Sequence, residues 1–172
     1  LAQLAERRLD LLLIAFPYET PDCETMMLFK DSYRFACSAD DPLAKSDAVS
    51  SRDMAARRLM LLEPEHCLHS HALPLLQSAA RNPNTTFAAT SLQTLVAMVS
   101  VGMGSTLLPE LAIDGGILQG STLVTRPLGY RAGARQIGLC WRRNSPRADE
   151  FRQIGEAILA WLATASGQHP QQ

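Results

Sequence analysis

The apolar positions of this chain fall into short runs separated by polar punctuation, and the period of each run predicts its element. Leu11 to Phe16 reads LLLIAF without a polar break, as a strand buried on both faces requires, and Pro17 ends it. Before it, Leu1, Leu4 and Leu9 bracket Glu6-Arg7-Arg8, which predicts the last turns of an amphipathic helix. Strands are predicted at Thr25 to Phe29 and Tyr33 to Ser38, split by Lys30-Asp31 and followed by a polar loop at Asp40-Asp41-Pro42. Ser50 or Ser51 is placed to cap a short helix running through Arg57. A strand at Leu59 to Leu62 then meets Glu63-Pro64-Glu65-His66-Cys67, where proline and charge impose a loop before a helix over Ala72 to Ala80.

The second half repeats the alternation. Thr86 to Ala89 reads as a short strand, and Thr90-Ser91-Leu92-Gln93 has the form of a capping box opening a helix with Leu92, Leu95, Val96 and Val99 on one face. Gly102 is expected to stop that helix. Gly104 to Pro109 predicts a strand running into a helix with Pro109 near its first turn. Strands at Leu123 to Leu128 and Ile137 to Trp141 precede a final helix introduced by Ser145-Pro146, in which Phe151, Ile154, Ile158 and Trp161 recur at helical spacing. From Ser166 the tail is polar and expected to fray. Strands alternating with helices throughout predict an α/β sandwich, without internal repeats.

Composition narrows the function. Apolar residues make up 47% and charged residues 19% of 172, the balance of a folded protein with a real core, and no apolar run is long enough to cross a bilayer. A net charge of −1 with scattered basic residues argues against direct binding of nucleic acid by this piece. Leu1 follows neither an initiator methionine nor a leader, so the sequence is read as part of a longer chain. Cys23, Cys37, Cys67 and Cys140 form no CxxC pair, which favours a reducing cytoplasm over a disulfide framework. No Gly-x-Ser-x-Gly setting or phosphate-binding glycine loop is present, so an ordinary hydrolase or nucleotide enzyme is not expected.

Several segments, in order, resemble the effector domain of LysR-type transcription regulators. They are the helix-to-strand entry from Leu4 to Ile14, Ser-Ala-Asp-Asp-Pro-Leu at Ser38 to Leu43, Thr90-Ser91-Leu92, Val101-Gly102-Met103-Gly104 with Leu107-Leu108-Pro109, and Gln136 to Arg142. Leu61 to Leu68 with the His66-Cys67 pair, Phe87 to Leu92, and Arg135 to Leu139 are similar to the OxyR branch, the peroxide sensors. The resemblance implies a two-lobed α/β fold of the type 2 periplasmic-binding-protein kind. One lobe would combine residues 1–28 and 135–172, its N-terminal part missing; a second lobe at 29–134 would carry the redox loop. The DNA-binding helix-turn-helix would lie outside this chain. It further implies a regulator, not an enzyme, that works as a homodimer or homotetramer, responds to hydrogen peroxide or a small-molecule effector, and uses no cofactor and no membrane.

By position, Cys67 matches the peroxide-reactive cysteine, His66 its neighbour, and Arg135 an arginine near the reactive site. Peroxide chemistry needs a thiolate, and a coming helix N-terminus, His66, His69 and Arg135 are the available means of lowering the pKa of Cys67. One departure bears on mechanism: the family's resolving cysteine lies nine residues after the reactive one, where this chain has Leu76. Three readings stay open. Cys67 is a redox thiol; or it only fills space, and Thr90, Ser91, Gly102 and Gly104 line a cleft for a small metabolite; or Cys67, His69 and His71 hold a metal ion, against which stands the lack of a second ligand pair. Cys23, Cys37 and Cys140, in apolar strands, are expected to be packing residues only.

Overall fold

Along the chain run α1 (Ala2–Ala5), β1 (Leu11–Phe16), β2 (Cys23–Asp31), β3 (Tyr33–Ser38), a 3-10 turn (Pro42–Lys45), α2 (Ser51–Ala55), β4 (Leu61–Leu62) and β5 (Ala88–Ala89). Then follow α3 (Leu92–Ser100), β6 (Thr106–Pro109), α4 (Glu110–Asp114), β7 (Leu123–Arg126), β8 (Arg135–Arg142) and α5 (Ala148–Ala165). This computed structural model describes residues 1–63, 88–129 and 134–165. The helix expected at Ala72 to Ala80, the start of the strand expected from Thr86 and the tail from Ser166 lie outside the described residues. The chain divides into two units, Leu1–Lys30 with Arg135–Gln172, and Asp31–Ala134.

In the first unit β8 lies between β1 and β2. It pairs antiparallel with β1 from Leu11 opposite Trp141 to Phe16 opposite Gln136. Ile137 to Trp141 are all buried, so the strand that needs apolar residues on both faces is β8. β1, expected in that role, is at the edge of this described sheet and leaves Leu13 60% exposed. Space around β8 is tight. A Cβ on Gly138 would stand 2.7 Å from the Met26 carbonyl oxygen, which explains a glycine in a central strand.

Helix α5 lays Phe151, Ile158 and Leu159 on Leu28, Leu139 and Trp141. The Trp141 and Phe151 rings meet with centroids 5.9 Å apart and tilted by 52°, and the Arg152 guanidinium covers Trp141 at 5.8 Å. The helix starts at Ala148, and Ser145 shapes the turn before it, its hydroxyl accepting from Arg147 N–H at 3.3 Å. The face differs from the expected one. Ile154 and Trp161 are exposed, because the helix turns Gly155 inward beside Met26. Arg142 ties the N-terminal turn to β8, donating to the carbonyls of Leu4 and Leu9 at 2.8 and 2.6 Å and pairing with Asp10 at 2.5 Å. Its hydrogen bond holds the Asp10 carboxyl below its usual range.

In the second unit β3 is central between β6 and β7, antiparallel to both. Phe35, Val49, Met54, Leu59, Leu95, Val99 and Leu107 form its core, all but sealed from water. Ser50 and Asp53 close the capping box of α2: Asp53 N–H donates to the Ser50 hydroxyl at 3.2 Å, and Ser50 N–H to the Asp53 carboxylate at 3.0 Å. α2 ends at Ala55, short of Arg57, whose guanidinium instead pairs with Asp41 at 3.0 Å. α3 is capped by Ser91, not by a Thr90/Gln93 box: Thr94 N–H donates to the Ser91 hydroxyl at 3.1 Å. β7 stops at Arg126 because Pro127 brings no N–H, and Leu128 keeps only an isolated bridge to Val49. At the start of α4, Leu111 N–H donates to the buried Asp31 carboxylate at 2.9 Å.

Two measurements test this packing. Gly138→Ala forces the sheet apart and is expected to cost about 1–3 kcal/mol of stability in urea unfolding; an unchanged midpoint contradicts the close approach. The second concerns Cys140, whose thiol is pushed up to about 12, by burial first and then by its hydrogen bond to Cys23. A thiol raised above its unfolded value keeps its proton longer in the native state. Its contribution to stability is therefore complete below the ordinary value of 9.0 and is lost as pH rises towards 12. Between neutrality and about pH 10 the unaltered chain should lose more urea resistance than Cys140→Ala; equal losses contradict the shift.

Candidate functional site

The segment on which the sequence places its reactive thiol is framed by a small piece of parallel sheet. Leu61 pairs with Ala88 and Leu62 with Ala89, and Glu63 N–H donates to the Ala89 carbonyl at 3.1 Å. β4 and β5 therefore end at one edge, and from that edge depart both Glu63, four residues before Cys67, and Thr90-Ser91 at the start of α3. The carboxyl edge of parallel strands is where ligands of α/β folds gather, since helix N-termini open there. His66, Cys67, His69, His71 and Leu76 themselves lie outside the described residues.

Four residues were expected to line one effector cleft. The structure separates them into two pairs. Thr90 and Ser91 stand at the N-terminal end of α3, Gly102 and Gly104 just past its C-terminal end, and nine helical residues span about 13 Å between them. The Ser91 hydroxyl is already engaged, accepting from Thr94 N–H and lying 2.9 Å from the Thr94 hydroxyl. Thr90 is exposed beside it. Gly102 has φ +78°, the left-handed turn that ends a helix after Val101, and a Cβ on Gly104 would lie 2.7 Å from the Arg58 carbonyl oxygen. Both glycines thus have backbone reasons to be glycines.

Gly102 and Gly104 do line a cavity, of about 590 Å³, with Ser38, Asp40, Asp41 and Arg57 among its other walls. Sequence reasoning did not find it. The signal was weak: Asp41 read as a loop residue and Arg57 as the end of a short helix, while the ion pair joining them links separate segments.

Arg135 is the first residue of β8 and half-buried; it belongs to the first unit, whereas position 67 falls within the span of the second. The remaining thiols divide. Cys37 and Cys140 have no exposed surface. Burial, reinforced by the nearby Asp41 carboxylate and partly offset by Arg126 and Arg57, raises the Cys37 thiol, so it is a packing residue. Cys140 is not alone, because half-buried Cys23 packs against the same apolar cluster. Among the described residues no group of three His, Cys, Asp or Glu side chains is placed to hold a metal ion, and no helix is long and apolar enough to cross a membrane.

The sequence profile of the LysR substrate binding domain matches residues 1–163. The chain is 36% identical over 166 residues to the DNA-binding transcriptional dual regulator OxyR of Escherichia coli, covering 93% of this chain and 52% of that protein. It is 33% identical over 163 residues to the HTH-type transcriptional regulator EstR of Acinetobacter baylyi, covering 94% and 54%. The chain thus spans about half the length of these relatives. The reduced regulatory domain of OxyR2 from Vibrio vulnificus superposes with a TM-score of 0.81 at 35% identity, covering 92% of this chain and 75% of that one. With these matches the two units take their place in the two-lobed, type 2 periplasmic-binding-protein-like architecture. The chain belongs to the LysR substrate binding domain family and is similar to the OxyR regulatory domains within it.

Proposed function

We propose that this chain is the sensing domain of a cytoplasmic LysR-type transcription activator that responds to hydrogen peroxide through oxidation of Cys67. The observation that carries this reading is the His66-Cys67 pair, four residues beyond the β4–β5 edge, in a chain 36% identical to OxyR over nearly its whole length. In this proposal the two units are the two regulatory lobes, and the segment from His66 to Leu76 is the one whose state changes. His66 supplies positive charge to the Cys67 thiolate, and for Arg135 the same role is what the likeness to OxyR implies. Its sulfur attacks peroxide, the O–O bond breaks, a sulfenic acid forms and water leaves.

Leu76 stands where the resolving cysteine of the branch is expected, so the oxidised form differs from an intrasegment disulfide. The sulfenic acid persists or is capped by a small cellular thiol. Either product changes the charge and bulk at position 67, and a homodimer or homotetramer with two arrangements turns that local change into altered DNA contact by the rest of the regulator.

The test follows Cys67 in reduced protein treated with stoichiometric peroxide. Rapid, selective oxidation at Cys67 is expected in mass spectra, lost in Cys67→Ser and slowed in Arg135→Ala. An inert Cys67 defeats the proposal. If a small molecule is then found retained by the protein, a metabolite-binding domain replaces it; if a metal ion is retained and lost on replacing His69 and His71, a metal-responsive one does.

A further inference from the structure

The first unit holds two thiols that peroxide chemistry at Cys67 leaves without a task. Cys140 lies fully buried in β8, and Cys23 opens β2, the neighbouring strand. Two backbone contacts fix how these strands run. Arg143 N–H donates to the Asp22 carbonyl at 2.9 Å, while Gly138, five residues earlier, abuts the Met26–Met27 backbone. Moving up β8 therefore means moving down β2. The strands are antiparallel, and Cys140 comes level with Glu24–Thr25, diagonal to Cys23 across the strand pair.

The side chains meet in the core: Cys140 forms one apolar cluster with Leu4 and Phe16, and Cys23 packs against it. Cys23 is half-buried and faces a cavity of about 470 Å³, whose rim includes the guanidinium-bearing Arg142 and Arg143. Cys140 has no such outlet. We propose that Cys23 and Cys140 are a second oxidisable pair, closing to a disulfide between β2 and β8 when hydrogen peroxide enters the cavity at Cys23.

The order of events follows from access. The Cys23 sulfur attacks peroxide, the O–O bond breaks, and a sulfenic acid forms with release of one water. The Cys140 sulfur then attacks that sulfenic sulfur. An S–S bond forms at about 2.05 Å, the S–O bond breaks, and the hydroxyl leaves with the Cys140 proton as a second water. Two thiols are oxidised and one peroxide is reduced. Burial, with the hydrogen bond to Cys23 behind it, keeps Cys140 protonated, so the second step accelerates as pH rises.

The proposal is independent of Cys67 and is tested with and without it. Reduced unaltered chain and Cys67→Ser are treated with hydrogen peroxide under native conditions, remaining thiols are blocked, and the protein is cleaved by trypsin without reductant. Residues 9–30, which carry Cys23, and residues 136–142, which carry Cys140, should be recovered as one species lighter than their sum by two hydrogens. In Cys140→Ala, Cys23 should stop at the sulfenic acid and be trapped by dimedone. In Cys23→Ser, Cys140 should stay reduced. Recovery of both peptides with blocked, unoxidised cysteines overturns the proposal, as does a cross-link formed only after unfolding in urea. A cross-link without reaction at Cys67 refutes the sensing proposal alone; reaction at Cys67 without the cross-link refutes this one alone.

Discussion

Two residues of parallel pairing, Leu61 with Ala88 and Leu62 with Ala89, decide what the second unit can present at its edge. Parallel strands end together, and here the pair ends with Glu63 bonded to Ala89, so the approach to Cys67 and the N-terminus of α3 leave from one place. The pairing is short, but all four positions are small or apolar, and Leu61, Leu62 and Ala89 are buried in the core built on Phe35 and Met54. The first amides of α3 have no partner within the helix, and the Ser91 hydroxyl accepts from one of them, Thr94 N–H.

The first unit solves a different problem. Its central strand is buried along five consecutive residues and admits no side chain at Gly138, so β8 fits only between the strands it has. Trp141 and Phe151 then lock α5 onto the sheet, with Arg152 over the indole. A strand so enclosed carries its thiol out of water, and Cys140 packs in the cluster that Cys23 joins from β2.

The helix α3 shows how an expectation formed from residue types separates in three dimensions. Thr90, Ser91, Gly102 and Gly104 are polar or small residues flanking one helix, which suggests a shared cleft. The helix itself keeps its two ends about 13 Å apart. Its start is capped by Ser91 and its end turned by Gly102, while the cavity at that end depends on Asp41 and Arg57 from other elements.

Sequence by itself determined the order of strands and helices, because each apolar run keeps one period and is ended by Pro, Gly or a capping Ser; β1 and β3 fall on the residues that pattern predicts. It also determined the family, through motifs whose order survives across the whole chain, and named Cys67 as the thiol to question. Only the tertiary structure decided which strand is enclosed, since LLLIAF is the more apolar run and yet pairing makes β8, with QIGLCW, central. Likewise only the fold placed Cys23 against Cys140: the two are 117 positions apart in sequence, and a contact between adjacent strands leaves no local pattern for periodicity to read.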